Sequence, residues 1–309
     1  MQLYRTIAAV RRSDPVAPRV VSIGVFDGLH VGHRAILERA KQEAAAAQAK
    51  TLVFSFEPTP KEFFAPASSP PRLTRFRERF EQLDALEIDE LFCPRFGKIR
   101  QFAPLAFIDS LLLGGLNAKH VVVGDDFRFG ADRRGTLEDL RAAGKRRGFR
   151  VTEVPPVFWR GERVSSTAIR EALKAGDLDS GRAMLGRDYS ISGRVVRGLG
   201  LGKRMGFPTA NVNLKRLRAP VDGIFAARVT GLAATALDGV ASVGTRPTIG
   251  GSTALLEVLI FDFDRDIYGK YITVHFVKRL REERHFADLQ ALQRQMHVDV
   301  ADARAALTA

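Results

Sequence analysis

The pattern of apolar runs changes once along this chain, near residue 187, and that change demands two architectures in one polypeptide. Before it, short apolar runs alternate with segments of helical spacing. Val20–Phe26 predicts a buried strand, followed by an Ala-rich helix to about Lys50 and a strand over Thr51–Phe56. The spacing then predicts helix over Leu73–Leu86, strand over Asp89–Cys93, helix over Pro104–Leu113 and strand over His120–Gly124. A helix over Thr136–Arg147 and a strand over Phe149–Val154 complete the series. Such alternation implies βαβ units, hence an α/β domain with a parallel sheet and helices on both faces. Ligands of such sheets bind beyond the carboxyl ends of the strands.

Two short helices, Thr167–Lys174 and Asp179–Leu185, close this half. Strands then follow one another: Tyr189–Val196, Gly223–Thr230, Leu237–Val243, Ala254–Phe263 and Tyr271–Val277, separated by Gly, Pro and Asp turn signals. Short strands at this spacing predict an all-β small closed barrel. A helical pattern from Phe286 to about Ala306 ends the chain. The expected domains are therefore residues 1–186 and 187–309, which suits a length of 309 residues.

Cys93 is the only cysteine, so no intrachain disulfide forms, and its apolar setting reads as core packing. Met1–Val10 lacks a long apolar region and no run reaches the roughly 18 apolar residues of a membrane helix. A soluble, cytoplasmic protein with no membrane partner is expected, and no obligate protein partner is evident. The net charge of +13 raises nucleic acid as a partner. The excess is shared almost evenly between the halves, with no polybasic arm, so anionic small substrates explain it as well and no nucleic-acid partner is expected.

Three elements in the first half converge on strand ends or helix starts. His30-Val31-Gly32-His33 lies where the first strand meets the first helix, after Gly28. Gly28 and Gly32 allow close backbone approach, and a helix N-terminus offers free N–H donors to phosphate. Two imidazoles there can donate to a triphosphate; alternatively they are ordinary turn histidines. Gly124–Gly130, with Asp126, follows the strand His120–Gly124, and is otherwise a polar loop with a buried aromatic. In Ser165-Ser166-Thr167-Ala168-Ile169-Arg170 the hydroxyls and the Arg170 fork can bind phosphate. Otherwise Thr167 or Ser166 is an N-cap and Arg170 a solvated charge.

In the second half, Gly198, Gly200, Gly202, Lys203 and Gly206 form a glycine-rich basic loop that does not match the Walker pattern, and a flexible turn is the alternative. Thr209 and Asn211 follow at once; extended residues two apart share a face, and their oxygens are hard ligands suited to Mg²⁺. Glu257 stands inside the apolar run Leu255–Ile260, where a carboxylate is costly to bury. A half-exposed strand residue is the other reading.

Together these residues resemble the prokaryotic bifunctional riboflavin kinase/FAD synthetases. Gly24-Val25-Phe26-Asp27-Gly28-Leu29-His30-Val31-Gly32-His33, Phe56-Glu57-Pro58, Gly124–Gly130 and Ser165–Arg170 look like the FAD-synthetase module, a nucleotidyltransferase of the HxGH type. Gly206-Phe207-Pro208-Thr209-Ala210-Asn211, Gly244–Thr248, Glu257 and Asp262–Lys270 look like the riboflavin-kinase module, a six-stranded Greek-key barrel. The resemblance runs from about Ile23 to Phe286. It departs at Thr59, where members often carry His or Gln.

It implies that the first half transfers adenylyl from ATP to FMN, giving FAD and pyrophosphate. Gly24, Phe26, Asp27, Gly28, His30, Gly32, His33, Asp126, Ser165, Ser166, Thr167 and Arg170 would line that site. It implies that the second half phosphorylates riboflavin, with ADP leaving, Thr209 and Asn211 serving Mg-ATP beside Pro208, and Glu257 as base. Two alternatives stand beside it: an FMN adenylyltransferase whose barrel only senses flavin, and an RNA-binding protein.

Overall fold

The strand β2 (Arg19–Ile23) is buried at all five positions, which is why its sequence does not alternate apolar with polar residues. In the computed structural model it is central to a six-stranded parallel sheet with β1 (Gln2–Tyr4), β3 (Lys50–Phe54), β4 (Glu90–Phe92), β5 (Ala118–Gly124) and β6 (Arg150–Val154). The structure describes every residue except 199–201, 203, 204, 217, 249, 250 and 309; of 245–248 and 251–253 only the backbone is described.

The sheet order is β1-β4-β3-β2-β5-β6. The chain builds outward from β2 through β3 to β4, then returns to lay β5 on the other flank of β2. Right-handed crossovers in the two directions put helix α2 (Val31–Ala46) and helix Leu137–Arg147 on opposite faces. The reversal makes the carboxyl ends of β2 and β5 the switch point where such sheets bind ligands. One face of the core packs Val21, Phe54, Phe92, Leu112 and Val121; the other packs Val53, Leu37, Leu83 and Leu91.

The first strand is shorter than the predicted Val20–Phe26. Gly24 still donates to the Phe54 carbonyl, 3.0 Å, but Phe26 turns into the left-handed region at φ 52°. The predicted helix Leu73–Leu86 begins only at Phe76, as α4 (Phe76–Ala85). The stretch Phe107–Leu113 is a π-helix, a wider turn that apolar spacing alone does not signal. Helices α1 (Ile7–Ser13) and α3 (Pro60–Phe64), strand β1 and a hairpin of β7 (Phe158–Trp159) and β8 (Glu162–Arg163) were not expected.

The second half holds a closed antiparallel barrel ordered β10-β13-β12-β11-β14-β9. Its strands are β9 (Ser190–Val196), β10 (Ala210–Asn213), β11 (Gly223–Thr230), β12 (Leu237–Thr248), β13 (Gly251–Ile260) and β14 (Tyr271–Arg281). Phe225, Val243, Leu256, Val258, Val274 and Phe276 are fully buried. The sixth strand, β10, is four residues long and follows a proline, so its pattern was too short to find. Helix Leu289–Thr308 covers the barrel's outside through Leu259, Phe261, Ala303 and Leu307. A bidentate pair of Arg281 with Asp299, both distances 2.7 Å, ties that helix to β14.

The chain divides into two compact units, Met1–Pro70 with Phe76–Val164, and Pro71–Arg75 with Ser165–Ala309. Helices Ser166–Ala175 and Leu178–Leu185 thus group with the barrel, as does the short segment Pro71–Arg75. No helix among the described residues is long and apolar enough to cross a membrane.

Candidate functional site

In the first unit the turn leaving β2 carries most of the expected nucleotide residues. Phe26, Gly28 and Leu29 have φ of 52°, 83° and 43°. Only Gly28 adopts such a backbone at little cost; each of the other two stores on the order of 1 kcal/mol or more. The strain delivers His30 to the N-cap of α2, where its Nδ1 accepts from the backbone N–H of His33 at 3.3 Å. An Nδ1 that accepts leaves Nε2 to carry the ring proton.

The His30 and His33 rings stack at 3.6 Å, and Phe26 meets His33 edge-on at 5.2 Å. A Cβ at Gly32 would come within 3.2 Å of the His30 ring, so glycine there leaves the imidazole its place. The Nδ1 of His33 is buried without a hydrogen-bond partner. Burial first, then His30 and Arg79, hold the His33 imidazole well below the ordinary 6.5, so it is neutral at pH 7. Asp27 is buried in the same turn. At the neighbouring strand end, Asp125 takes a bidentate pair from Arg163, 2.6 and 2.9 Å. Asp126 beside it is exposed, 3.5 Å from the same guanidinium.

Apart from Phe56, read above within Phe56-Glu57-Pro58, two features here escaped the sequence reading. Phe56, Phe63, Phe64 and Phe96 form a chain of edge-on rings, 5.4 to 5.8 Å apart, at the carboxyl ends of β3 and β4. Phe64 is 64% exposed. The adjacent Phe63-Phe64 pair, outside any apolar periodicity, was the available signal. The other is Arg79, buried in α4 and bonded to the β2 and β3 loops. Thr59, where the family pattern differs, caps α3 in a capping box with Glu62.

In the second unit Ser165, rather than Ser166 or Thr167, is the N-cap of helix Ser166–Ala175, accepting from Ala168 N–H at 3.1 Å. Thr167 is exposed. Arg170 is no solvated charge: it is half-buried and donates to the carbonyls of Pro71, 2.6 Å, and Ser166, 2.9 Å.

At the barrel, Asn211 and Glu257 are direct register partners across β10 and β13. Val212, Leu256 and Val258 are buried inward, so Asn211 and Glu257 share the outer face, both half-buried. The run around Glu257 is therefore an alternation whose outward leucines are partly covered. A Cβ at Gly198 would lie 2.3 Å from the Asn211 amide nitrogen, and one at Gly202 would lie 3.2 Å from Thr209 Oγ1. Two glycines of the loop thus cradle the two expected metal ligands. Gly206 and Pro208 lie in the turn before β10; Gly200 and Lys203 lie outside the described residues. Asn211 opens on a cavity of about 440 Å³, also lined by Gly198, Asn213, Lys215 and Arg216. Asp262 pairs with Arg304, 3.0 and 3.1 Å, and Asp266 accepts from the Tyr268 N–H, so this acidic turn is structural.

Comparison with known proteins finds relatives for both halves of the chain. A family model for FAD synthetase matches residues 14–168, and one for riboflavin kinase matches residues 185–307. A bifunctional riboflavin kinase/FMN adenylyltransferase of Escherichia coli K12 is 43% identical, covering 98% of this chain and 97% of its own. One from Pseudomonas fluorescens is 42% identical, over 99% and 97%. A crystal structure from Streptococcus pneumoniae, described as a macrolide-efflux protein, superposes with a TM-score of 0.84 at 30% identity, over 98% of both chains. The chain belongs to the family of bifunctional riboflavin kinase/FMN adenylyltransferases.

Proposed function

We propose that the chain phosphorylates riboflavin to FMN in the barrel unit and adenylylates FMN to FAD at the His30–His33 turn. In the second reaction an FMN phosphate oxygen attacks the α-phosphorus of ATP, the bond to the bridging oxygen breaks, and pyrophosphate leaves. The nucleophile is already an anion, so positioning and charge stabilisation suffice. His30, His33 and the N–H groups opening α2 supply donors to the phosphates. The exposed rings of Phe63 and Phe64 offer a surface on which a flavin ring stacks.

In the first reaction the primary hydroxyl of riboflavin attacks the γ-phosphorus, ADP leaves, and Glu257 accepts the proton. Thr209 Oγ1 and Asn211 Oδ1 fit a hard divalent cation such as Mg²⁺; a Cβ on Gly198 would overlap the Asn211 amide, and one on Gly202 would crowd Thr209 Oγ1 at 3.2 Å. No group of three or more acidic, His or Cys side chains among the described residues could hold a metal. A cation carried with ATP would offset the charge of its phosphates.

The observation that carries the reading of two activities is the cradle of Gly198 and Gly202 around Asn211 and Thr209, with Glu257 in register beside Asn211. A barrel that only senses flavin has no need of it. Incubation with riboflavin, ATP and Mg²⁺, with flavins resolved by chromatography, should give FMN and then FAD, and a chelator should stop both. FAD made from supplied FMN, with no FMN made from riboflavin, would favour the sensing barrel instead.

A further inference from the structure

We infer that Arg79 is a positioning residue of the adenylyl-transfer site, its buried guanidinium clamping the β2–α2 turn and the β3–α3 loop at one fixed spacing. This rests on the assignment of the His30–His33 turn to that reaction. Arg79 lies one turn into α4 and is 1% exposed. Its Nη1 donates to the Val25 carbonyl at 2.8 Å. Its Nη2 donates to the Glu57 carboxylate at 3.1 Å and, more weakly, to the Phe56 carbonyl at 3.4 Å. Val25 stands between Gly24 and Phe26, at the entrance of the left-handed stretch that delivers His30 and His33. Phe56 and Glu57 lead into the loop that carries the aromatic rings. A single fork therefore spans the two carboxyl-end loops of adjacent strands.

Fold stability alone does not call for a charge here. A buried ion pair is often replaceable by packed apolar groups with no loss of stability, and among the described residues Glu57 is the carboxylate paired with Arg79. A planar fork reaching two loops at once is something arginine supplies and lysine or methionine does not. The Val25 carbonyl also accepts from Ser55 Oγ, at 3.2 Å, a longer strut from the same β3 loop that does not reach Glu57. Loss of the clamp frees the strained turn to relax, and displacement of a reacting group by about 1 Å costs on the order of 100-fold in rate.

The charge has its own signature. The charged or titratable groups facing His33 are His30 from its own turn and Arg79 from α4, with Glu57 of the β3 loop on the far side of that guanidinium. Arg79 helps keep the His33 ring neutral, so its removal should shift the ring's titration upward toward the ordinary 6.5.

The test uses full-length Arg79→Met, Arg79→Lys and His33→Ala proteins. FAD formation from FMN, FMN formation from riboflavin, the thermal transition and ¹³C-histidine titration are read on each. Arg79→Met should lower kcat for FAD formation about 10- to 100-fold, with little change in KM for ATP or FMN. Riboflavin phosphorylation should be unaltered and the His33 titration raised. Arg79→Lys, with the charge but no fork, should keep the His33 titration low and regain only part of kcat. Wild-type kcat for FAD formation in folded Arg79→Met, or in Arg79→Lys should the Met variant not fold, overturns the clamp. So does parallel loss of both activities with the thermal transition. If instead His33→Ala leaves FAD formation intact, the site assignment itself fails, whatever Arg79 does.

Discussion

The two reactions ask different things of a side chain, and His33 and Glu257 separate them. FMN arrives at adenylyl transfer as an anion, so in the proposed reaction His33 would contribute a neutral donor to developing charge and take no proton. His33→Ala should therefore cost FAD formation about 10²-fold or more, the scale of one preorganised donor. FMN formation should hardly change. Riboflavin's hydroxyl must lose a proton, and Glu257→Gln keeps the shape of the proposed acceptor while removing its basicity. That variant should lose about 10²–10⁴-fold in FMN formation, retain ATP binding and make FAD normally from supplied FMN. Normal riboflavin phosphorylation by Glu257→Gln would leave the carboxylate structural. At this scale the placement of the histidine pair at a strand-to-helix junction was legible, because an apolar run leads straight into it and a helical pattern follows. Ser165 was not chosen as the cap over Thr167, since three hydroxyls in a row offer the same pattern and only the backbone angles decide. Arg79 was invisible because a buried arginine in an amphipathic helix reads as a surface charge.

The loop between β9 and β10 makes the same point for an element. Its glycines suggest freedom of backbone, yet Gly198 has another reason to lack a side chain: the Asn211 amide fills the place of its Cβ, 2.3 to 2.6 Å away. Gly198→Ala should push Asn211 off its position and reduce riboflavin phosphorylation at least tenfold, with FAD formation from FMN unaffected, an order of magnitude expected for a displaced ligand. Equal kinase rates in the variant and the parent would detach Asn211 from the reaction. Sequence periodicity located the long strands and helices because burial repeats along them. It missed β10, which has four residues next to Pro208, and ran β2 on through Phe26, whose apolar side chain is buried in a turn and not in the strand. It also gave the start of α4 three residues too early, where Leu73 is fully buried outside any helix.

For the whole molecule the change of pattern near residue 187 announced two architectures, while the grouping of the linking helices depended on contacts distant in sequence. Arg75 donates to the Ser192 carbonyl at 2.6 Å and the Tyr271 hydroxyl at 2.8 Å, and Arg216 to the Arg72 carbonyl at 3.3 Å. With Arg170 on Pro71, these bonds hold residues 71–75 and the helices from Ser166 onward to the barrel's own unit. Ile169, Leu173, Met184 and Leu185 of those helices are buried. A fragment of residues 187–309 loses them and exposes whatever they cover, at roughly 1.5–3 kcal/mol for each large apolar side chain's worth of burial removed. A fragment of residues 165–309 keeps them. Both fragments should make FMN and neither should make FAD, since the His30–His33 turn is absent from each. The longer fragment should unfold at a clearly higher temperature and at higher urea concentration. Equal stability of the two would mean that the helices add nothing to the barrel, and the functional boundary would then stand at residue 187. A folded 165–309 fragment that makes no FMN, beside a full chain that does, would remove the kinase reaction from the barrel altogether.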